Sequence, residues 1–144
     1  LPNWLAFGGD ATLDAYRANS FEDIPPEHWQ LLEESRMYFE TPEAIYVHAN
    51  LDEDVPLVEQ TEYDLLWRFY EKPLWHCSGK FVLCGHTTQP SGYPRLDERS
   101  ICIDTLNPPD SCWLTAVNLH RRCFWQAARD GRQRSDVFAA LSHD

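Results

Sequence analysis

An α+β fold is what this chain of 144 residues predicts. Three observations carry the prediction. Helical patterns come first, strand-like apolar runs follow, and the last two runs are joined by a step too short for a parallel crossover. The composition agrees: 43% of residues are hydrophobic, with 6 Trp, 6 Tyr and 7 Phe, enough apolar surface for a packed core. The length suits one domain, and the order of elements also fits half of a larger sandwich.

Taken in order, residues 3–17 read as a broken helix. Asn3 to Phe7 runs into Gly8-Gly9, and Asp10 then caps a new turn from Ala11 to Tyr16. Residues 18–24 form a polar connection. Pro25-Pro26-Glu27 opens a second helix with Trp29, Leu31 and Leu32 on its apolar face. Met37 to Glu40 and Ala44 to Val47 read as strands. Leu51 to Gln60 is an acidic loop. Thr61 caps a helix from Glu62 to about Tyr70, with Leu65, Leu66 and Phe69 on one face and Pro73 as its stop. Phe81 to Cys84 is a buried strand, and residues 87–99 are a long loop. Ser100 to Asp104, Leu114 to Leu119 and Cys123 to Ala127 are the remaining strands. His120-Arg121-Arg122 makes the hairpin turn between the last two. Residues 129–144 are charged and read as a tail or frayed helix, so the expected domain spans residues 1–128.

Net charge is -11, from 23 acidic against 12 basic residues. That excludes nucleic acid as the expected partner, because a phosphate backbone demands a basic footprint. No apolar run approaches the ~20 residues of a membrane helix, so no membrane partner is expected. Residues 1–20 lack the basic start and apolar stretch of a signal peptide. The chain begins Leu1-Pro2, as a processed product or a partial sequence would. Five cysteines, Cys77, Cys84, Cys102, Cys112 and Cys123, include no Cys-x-x-Cys pair and lie largely in apolar runs. That pattern suits small hydrophobes in a reduced, cytoplasmic compartment.

Two strings carry the chemistry: Ala44 to Asp52 and Lys80 to Thr88. Each is an apolar run that ends in a histidine and then turns. A rigid strand that delivers an imidazole from its end is a good metal-ligand holder. His48 and His86 are therefore candidate metal ligands, though two histidines alone do not complete a hydrolytic centre. A zinc set of His76, Cys77, Cys84 and His86 is a second arrangement, but its spacing matches no common zinc pattern. His28, His76, His120 and His143 read as ordinary hydrogen-bonded or solvated histidines, and Asp52, Glu53 and Asp54 as solvated acids.

Five segments in order resemble the C-terminal half of the calcineurin-like metallophosphoesterases, in the branch of bacterial serine/threonine protein phosphatases and diadenosine tetraphosphatases. Gly8-Gly9-Asp10-Ala11-Thr12-Leu13 resembles the stretch after that family's third metal motif. Val47-His48-Ala49-Asn50-Leu51 resembles its Val-His-Ala-Gly-Leu motif, and Gly85-His86-Thr87-Thr88 its Gly-His-Thr-Pro motif. Ile103-Asp104-Thr105 and Leu114-Thr115-Ala116 resemble its closing strands. The resemblance implies the C-terminal part of a four-layer α/β/β/α sandwich with a dinuclear centre of manganese, iron or zinc. It implies hydrolysis of phosphate esters, on a serine/threonine phosphoprotein or a nucleoside polyphosphate. His48 and His86 would be metal ligands. Leu65-Leu66-Trp67-Arg68 resembles the segment before a phosphate-gripping arginine, so Arg68 is a candidate substrate ligand; it reads equally as a solvated arginine on a helix.

The departures are as informative. The family's Asp-x-His, Gly-Asp-x-x-Asp-Arg-Gly and Gly-Asn-His-Asp/Glu motifs are missing, and with them the other metal ligands and the catalytic His–acid pair. Asn50 stands where glycine is usual, Thr88 where proline is usual, and Leu106-Asn107-Pro108-Pro109 replaces a glycine turn. The expectation is a segment inactive by itself, partnered by a missing N-terminal half or by self-association. The alternative is a non-catalytic binding or structural module that kept the fold.

Overall fold

The computed structural model describes residues 2–107 and 111–141, in two compact units, Leu1–Arg36 and Met37–Asp144. Pro108, Pro109 and His143 lie outside the described residues. The secondary structure is α+β, with one mixed sheet and one antiparallel sheet. Among the described residues no helix is long and apolar enough to cross a membrane.

The first unit is helical. Helix α1 (Pro2–Trp4) runs through a wider turn over Leu5–Gly9 into α2 (Asp10–Tyr16). The break falls at the two glycines for two different reasons. Gly8 sits at φ +99, where a side chain is strained. A Cβ on Gly9 would come within 2.0 Å of the Trp4 ring. Helix α3 (Pro26–Glu33) starts with proline in its first turn, as the sequence indicates. Trp29 packs edge-on against Phe21, 5.8 Å between centroids, and Phe21 packs on Trp4 at 5.0 Å. Leu31 and Leu32, expected on a buried face, are exposed instead, at 67% and 63%. Only the Trp29 side of α3 faces the aromatic stack.

The second unit is built on the mixed sheet of β1 (Tyr38–Glu40), β2 (Ala44–Val47), β3 (Phe81–Cys84), β4 (Arg95–Leu96) and β5 (Ser100–Cys102), in spatial order β1-β2-β3-β5-β4. Strands β2, β3 and β5 are parallel, and β1 and β4 run antiparallel at the edges. The β2–β3 crossover carries α4 (Glu62–Trp67). Alternation along β3 gives each face of the sheet a core. Val82 and Cys84 join Ile45, Leu51, Leu65, Tyr70 and Leu74 on the crossover side. Phe81 and Leu83 join Ile101, Phe124 and Phe138 on the other. Ile45, Val82 and Ile101 are fully buried, each worth roughly 1.5–3 kcal/mol in removed apolar surface.

Phe124 belongs to the second sheet, in order β6 (Leu106–Asn107), β7 (Ser111–Asn118), β8 (Cys123–Ala128) and β9 (Gln133–Val137), antiparallel throughout. Residues 129–144 are therefore not simply a tail or frayed helix. Gln133–Val137 pairs along β8, and Phe138 after it is 1% exposed in the core. The opposite face of this sheet presents Leu114, Ala116, Trp125, Ala127, Ser135 and Val137, and none of these is charged. Leu114 there is 78% exposed and Val137 52%, an open apolar face.

Helix α4 is shorter than its pattern. Thr61 caps it through the Asp64 amide, and Asp64 returns a bond to the Thr61 N–H, a reciprocal capping box. It ends at Trp67 rather than near Tyr70, well before Pro73. Arg68 turns extended at φ -69, ψ 127. Beyond it, Asn50 Nδ2 donates to the Phe69 carbonyl at 2.9 Å and the Tyr70 N–H donates to Thr87 Oγ1 at 2.6 Å. Those partners take the backbone groups that another helical turn would use.

Candidate metal centre

His48 and His86 leave the C-terminal ends of β2 and β3, which are parallel neighbours paired Ala44 to Phe81, Ile45 to Val82 and Tyr46 to Leu83. In open α/β sheets this end of the strands is where ligands bind. The register puts the two histidines side by side, with ring centroids 5.1 Å apart and planes tilted 60°. The turns are locked together: the Gly85 N–H donates to the His48 carbonyl at 2.9 Å. The Ala49 and Asn50 amides donate to the Leu65 and Asp64 carbonyls, so α4 pins the turn after His48.

The spacing suits a shared cation. A metal about 2.0–2.1 Å from a ring nitrogen lies roughly 3.2 Å from that ring's centroid. Two imidazoles at about 90–110° around one metal then stand roughly 4.5–5.3 Å apart. The observed 5.1 Å falls inside that range. Among the described residues no group of three or more His, Cys, Asp or Glu converges to hold a metal. The pair thus fits part of a coordination shell.

His86 adopts φ +60, one of three non-glycine residues in the left-handed region among those described. Such a backbone persists only where its surroundings over-determine it. Here Thr87 N–H donates to the Gly85 carbonyl, Gln89 Nε2 to the Thr87 carbonyl, and Tyr70 N–H to Thr87 Oγ1, each at 2.6 Å. Asn50 stands where the family that the chain resembles has glycine. It does not have a positive φ, and its side chain instead clamps the Phe69 carbonyl and accepts from the Leu51 amide.

Gly85 is tight for a different reason. A Cβ there would lie 3.3 Å from the His48 carbonyl oxygen, which is backbone and cannot swing away. Gly85→Ala is expected to cost about 1–2 kcal/mol as an overpacking change. It should also separate the two rings, read as loss of the nuclear Overhauser contact between His48 and His86. An alanine variant of wild-type stability with that contact intact would refute the close fit.

The aromatic walls of the site were not visible in the sequence. With Arg68 extended, Trp67 and Phe69 fall on one side and Arg68 on the other. Trp67 stands edge-on to His86 at 6.1 Å and Phe69 lies 5.4 Å from it, though both are more than half exposed. Phe69 also borders a cleft of about 480 Å³ shared with Asp52, Tyr63, Arg68 and Lys72. His86 borders a second, of about 840 Å³, with Asp104, Trp113 and Leu114.

Arg68 lines the first cleft, but its guanidinium is engaged. Nε meets Asp64 at 2.7 Å and Nη2 meets Asp52 at 3.2 Å, with Nη1 near the Leu51 carbonyl. The Asp64–Arg68 pair has the four-residue spacing of a helix ion pair, a signal present in the sequence. Asp52 and Glu53, read as solvated, hold Arg68 and Lys72.

His76, His28 and the thiols are accounted for elsewhere. His76 is 4% exposed, with one ring nitrogen at Ser78 Oγ and the other at the Val55 carbonyl. His28 meets the Tyr16 hydroxyl at 2.7 Å. All five cysteines are free thiols. The hydrogen bond that Cys84 gives to Cys102, reinforced by burial, pushes the Cys84 thiol well above the usual range. A thiol held protonated is a poor zinc ligand, and Cys77 is on the surface. The structure therefore does not assemble His76, Cys77, Cys84 and His86. Comparison with protein-family models, with curated proteins and with solved structures finds no match to this chain.

Proposed function

We propose that this chain contributes His48 and His86 to a dinuclear-metal phosphoesterase centre. The observation that carries the reading is the pair of imidazoles, with ring centroids 5.1 Å apart, at the ends of adjacent parallel strands. The five ordered segments that resemble the metallophosphoesterases support it. On this reading the mixed and antiparallel sheets are the two inner layers of an α/β/β/α sandwich. The remaining ligands come from residues outside this chain, supplied by an N-terminal half or by self-association across the open apolar face. The metals, manganese, iron or zinc, would supply charge neutralisation and a water-derived nucleophile at neutral pH. The chain's own residues do the rest. His48 and His86 hold the cation, Trp67 and Phe69 shield the His86 ring from water, and Arg68 turns from Asp52 to grip the phosphate of a phosphoprotein or nucleoside polyphosphate. A non-catalytic binding or structural module is favoured by one observation, the two carboxylates already on Arg68.

Histidine ring NMR during Zn²⁺ titration separates the readings. Both His48 and His86 signals should shift together while His28 and His120 stay. His48→Ala should weaken binding at His86 by roughly tenfold or more, since even indirect supports of a ligand cost 10–100-fold. With Mn²⁺ the isolated chain should not hydrolyse p-nitrophenyl phosphate. Unmoved His48 and His86 signals would sink the metal assignment, and hydrolysis by this chain alone would sink its incompleteness.

A further inference from the structure

We propose that Cys84 and Cys102 form an oxidation site, in which a peroxide closes a disulfide across the mixed sheet and resets the turn that carries His86. The two residues are directly opposite each other in the β3–β5 ladder. Neighbouring strands lie about 4.8 Å apart. That is inside the roughly 4.4–6.8 Å between Cα atoms that a disulfide spans. Both belong to the core on the same side of the sheet, and both are 0% exposed. The other three thiols have no such partner in register. Cys77 is on the surface, and Cys112 and Cys123 belong to the second sheet.

What makes the pair more than a buried contact is what Cys102 touches. Its Sγ lies 3.3 Å from the Thr87 carbonyl, 3.5 Å from the Gly85 carbonyl and 3.4 Å from Gln89 Nε2. These residues flank His86, whose left-handed backbone depends on its supports. The chemistry balances with hydrogen peroxide as the oxidant. Cys102 Sγ attacks one peroxide oxygen, the O–O bond breaks, and the displaced hydroxide leaves as water with the thiol proton. Cys84 Sγ then displaces the hydroxyl of the resulting sulfenic acid, which departs as a second water with the Cys84 proton. Two thiols lose two electrons and the peroxide gains them. The S–S bond draws Cys102 Sγ toward β3 and removes the S–H that served the Thr87 and Gly85 carbonyls. Peroxide is small and uncharged, as a reagent for a fully buried pair must be.

The disulfide is independent of the phosphoesterase reading; an effect on metal capture rests on it. The test uses the whole metal-free chain in a Cys77→Ser background, which removes the exposed thiol. After peroxide and alkylation under denaturing conditions, two fewer thiols should be alkylated. A tryptic map should join the peptide holding Cys84 to Cys102, and dithiothreitol should undo the link. The His86 ring signals should shift while those of His28 and His120 hold. Adding Cys112→Ser and Cys123→Ser should preserve the link, and adding Cys84→Ala should abolish it. Undiminished alkylation, or a link through Cys112 or Cys123, overturns the site. A Cys84–Cys102 link with an unmoved His86 overturns the coupling. Because no metal is present, either failure leaves the Zn²⁺ titration to stand or fall separately.

Discussion

Tyr70→Phe should cost about 2–3 kcal/mol, because its hydroxyl bonds a charged acceptor in the interior. Tyr70 is 1% exposed, and its hydroxyl lies 2.5 Å from Asp97 Oδ2 and 2.6 Å from Ser100 Oγ. A phenol has one proton to donate, and its hydrogen bond goes to the Asp97 carboxylate, so Ser100 donates back to the phenol oxygen. Phenylalanine keeps the packing and the Arg95 contact on the ring face at 5.2 Å, so the loss isolates the hydroxyl. The same hydroxyl makes stability pH-dependent. Burial first, then the bond to Asp97, raises the Tyr70 pKa far above the ordinary tyrosine value. In the unfolded chain Tyr70 ionises near pH 10, while in the folded chain it keeps its proton. The unfolded state then binds fewer protons, so stability falls as pH rises. The contribution is complete below about pH 10 and declines above it by up to about 1.4 kcal/mol per pH unit. Urea unfolding of wild type and variant, compared in neutral buffer and again above pH 10, cancels the other groups. The gap between them should narrow in the alkaline series; a constant gap would mean that Tyr70 ionises normally.

The parts of this fold that the sequence disclosed are those governed by local pattern. The apolar runs at Ala44–Val47 and Phe81–Cys84 are β2 and β3 to the residue, and the short step after Asn118 is a hairpin. Gly8-Gly9 marks the helix break. What escaped depends on partners far along the chain. Gln133–Val137 has no apolar alternation, and it is a strand because β8 offers it a ladder and Arg134 and Phe138 anchor it. Helix α4 stops early because Asn50 and Thr87 take the backbone groups beyond it. At the site, the histidine pair was legible because each imidazole ends a buried strand. The walls from Trp67 and Phe69 follow from the unforeseen change of backbone at Arg68. No sequence pattern marks His86 as left-handed, since that conformation comes from the contacts around Thr87.

Gln126→Leu should be the most damaging of these substitutions, at about 3–4 kcal/mol, because each stranded buried partner costs about 1–3 kcal/mol. Gln126 is 2% exposed in the middle of β8. Its Oε1 accepts from Arg134 Nε at 2.7 Å, which fixes the amide orientation. Its Nε2 then faces Thr115 Oγ1 at 2.8 Å, the Gly92 carbonyl at 2.9 Å and Thr105 Oγ1 at 3.2 Å. The threonines cannot compensate by turning. Thr105 gives its proton to the Trp113 carbonyl at 2.8 Å, and Thr115 gives its own to Thr105 at 2.6 Å. Leucine of similar size leaves Arg134 Nε and Thr115 Oγ1 without their partner. Gln126→Glu keeps an acceptor for Arg134 but turns a second oxygen toward the Gly92 carbonyl, so its loss should be smaller, about half. The guanidinium is meanwhile held between the rings of Tyr93, at 3.6 Å, and Trp113, at 4.1 Å. That clasp ties β9 to Gly92, in the loop that follows His86. Loosening it should therefore speed amide exchange at Gly92 and Tyr93 in Gln126→Leu more than at Val82 in β3. Uniform acceleration would mean that the network stabilises the whole unit without holding that loop in particular, and an unchanged midpoint in urea would mean that it stabilises neither.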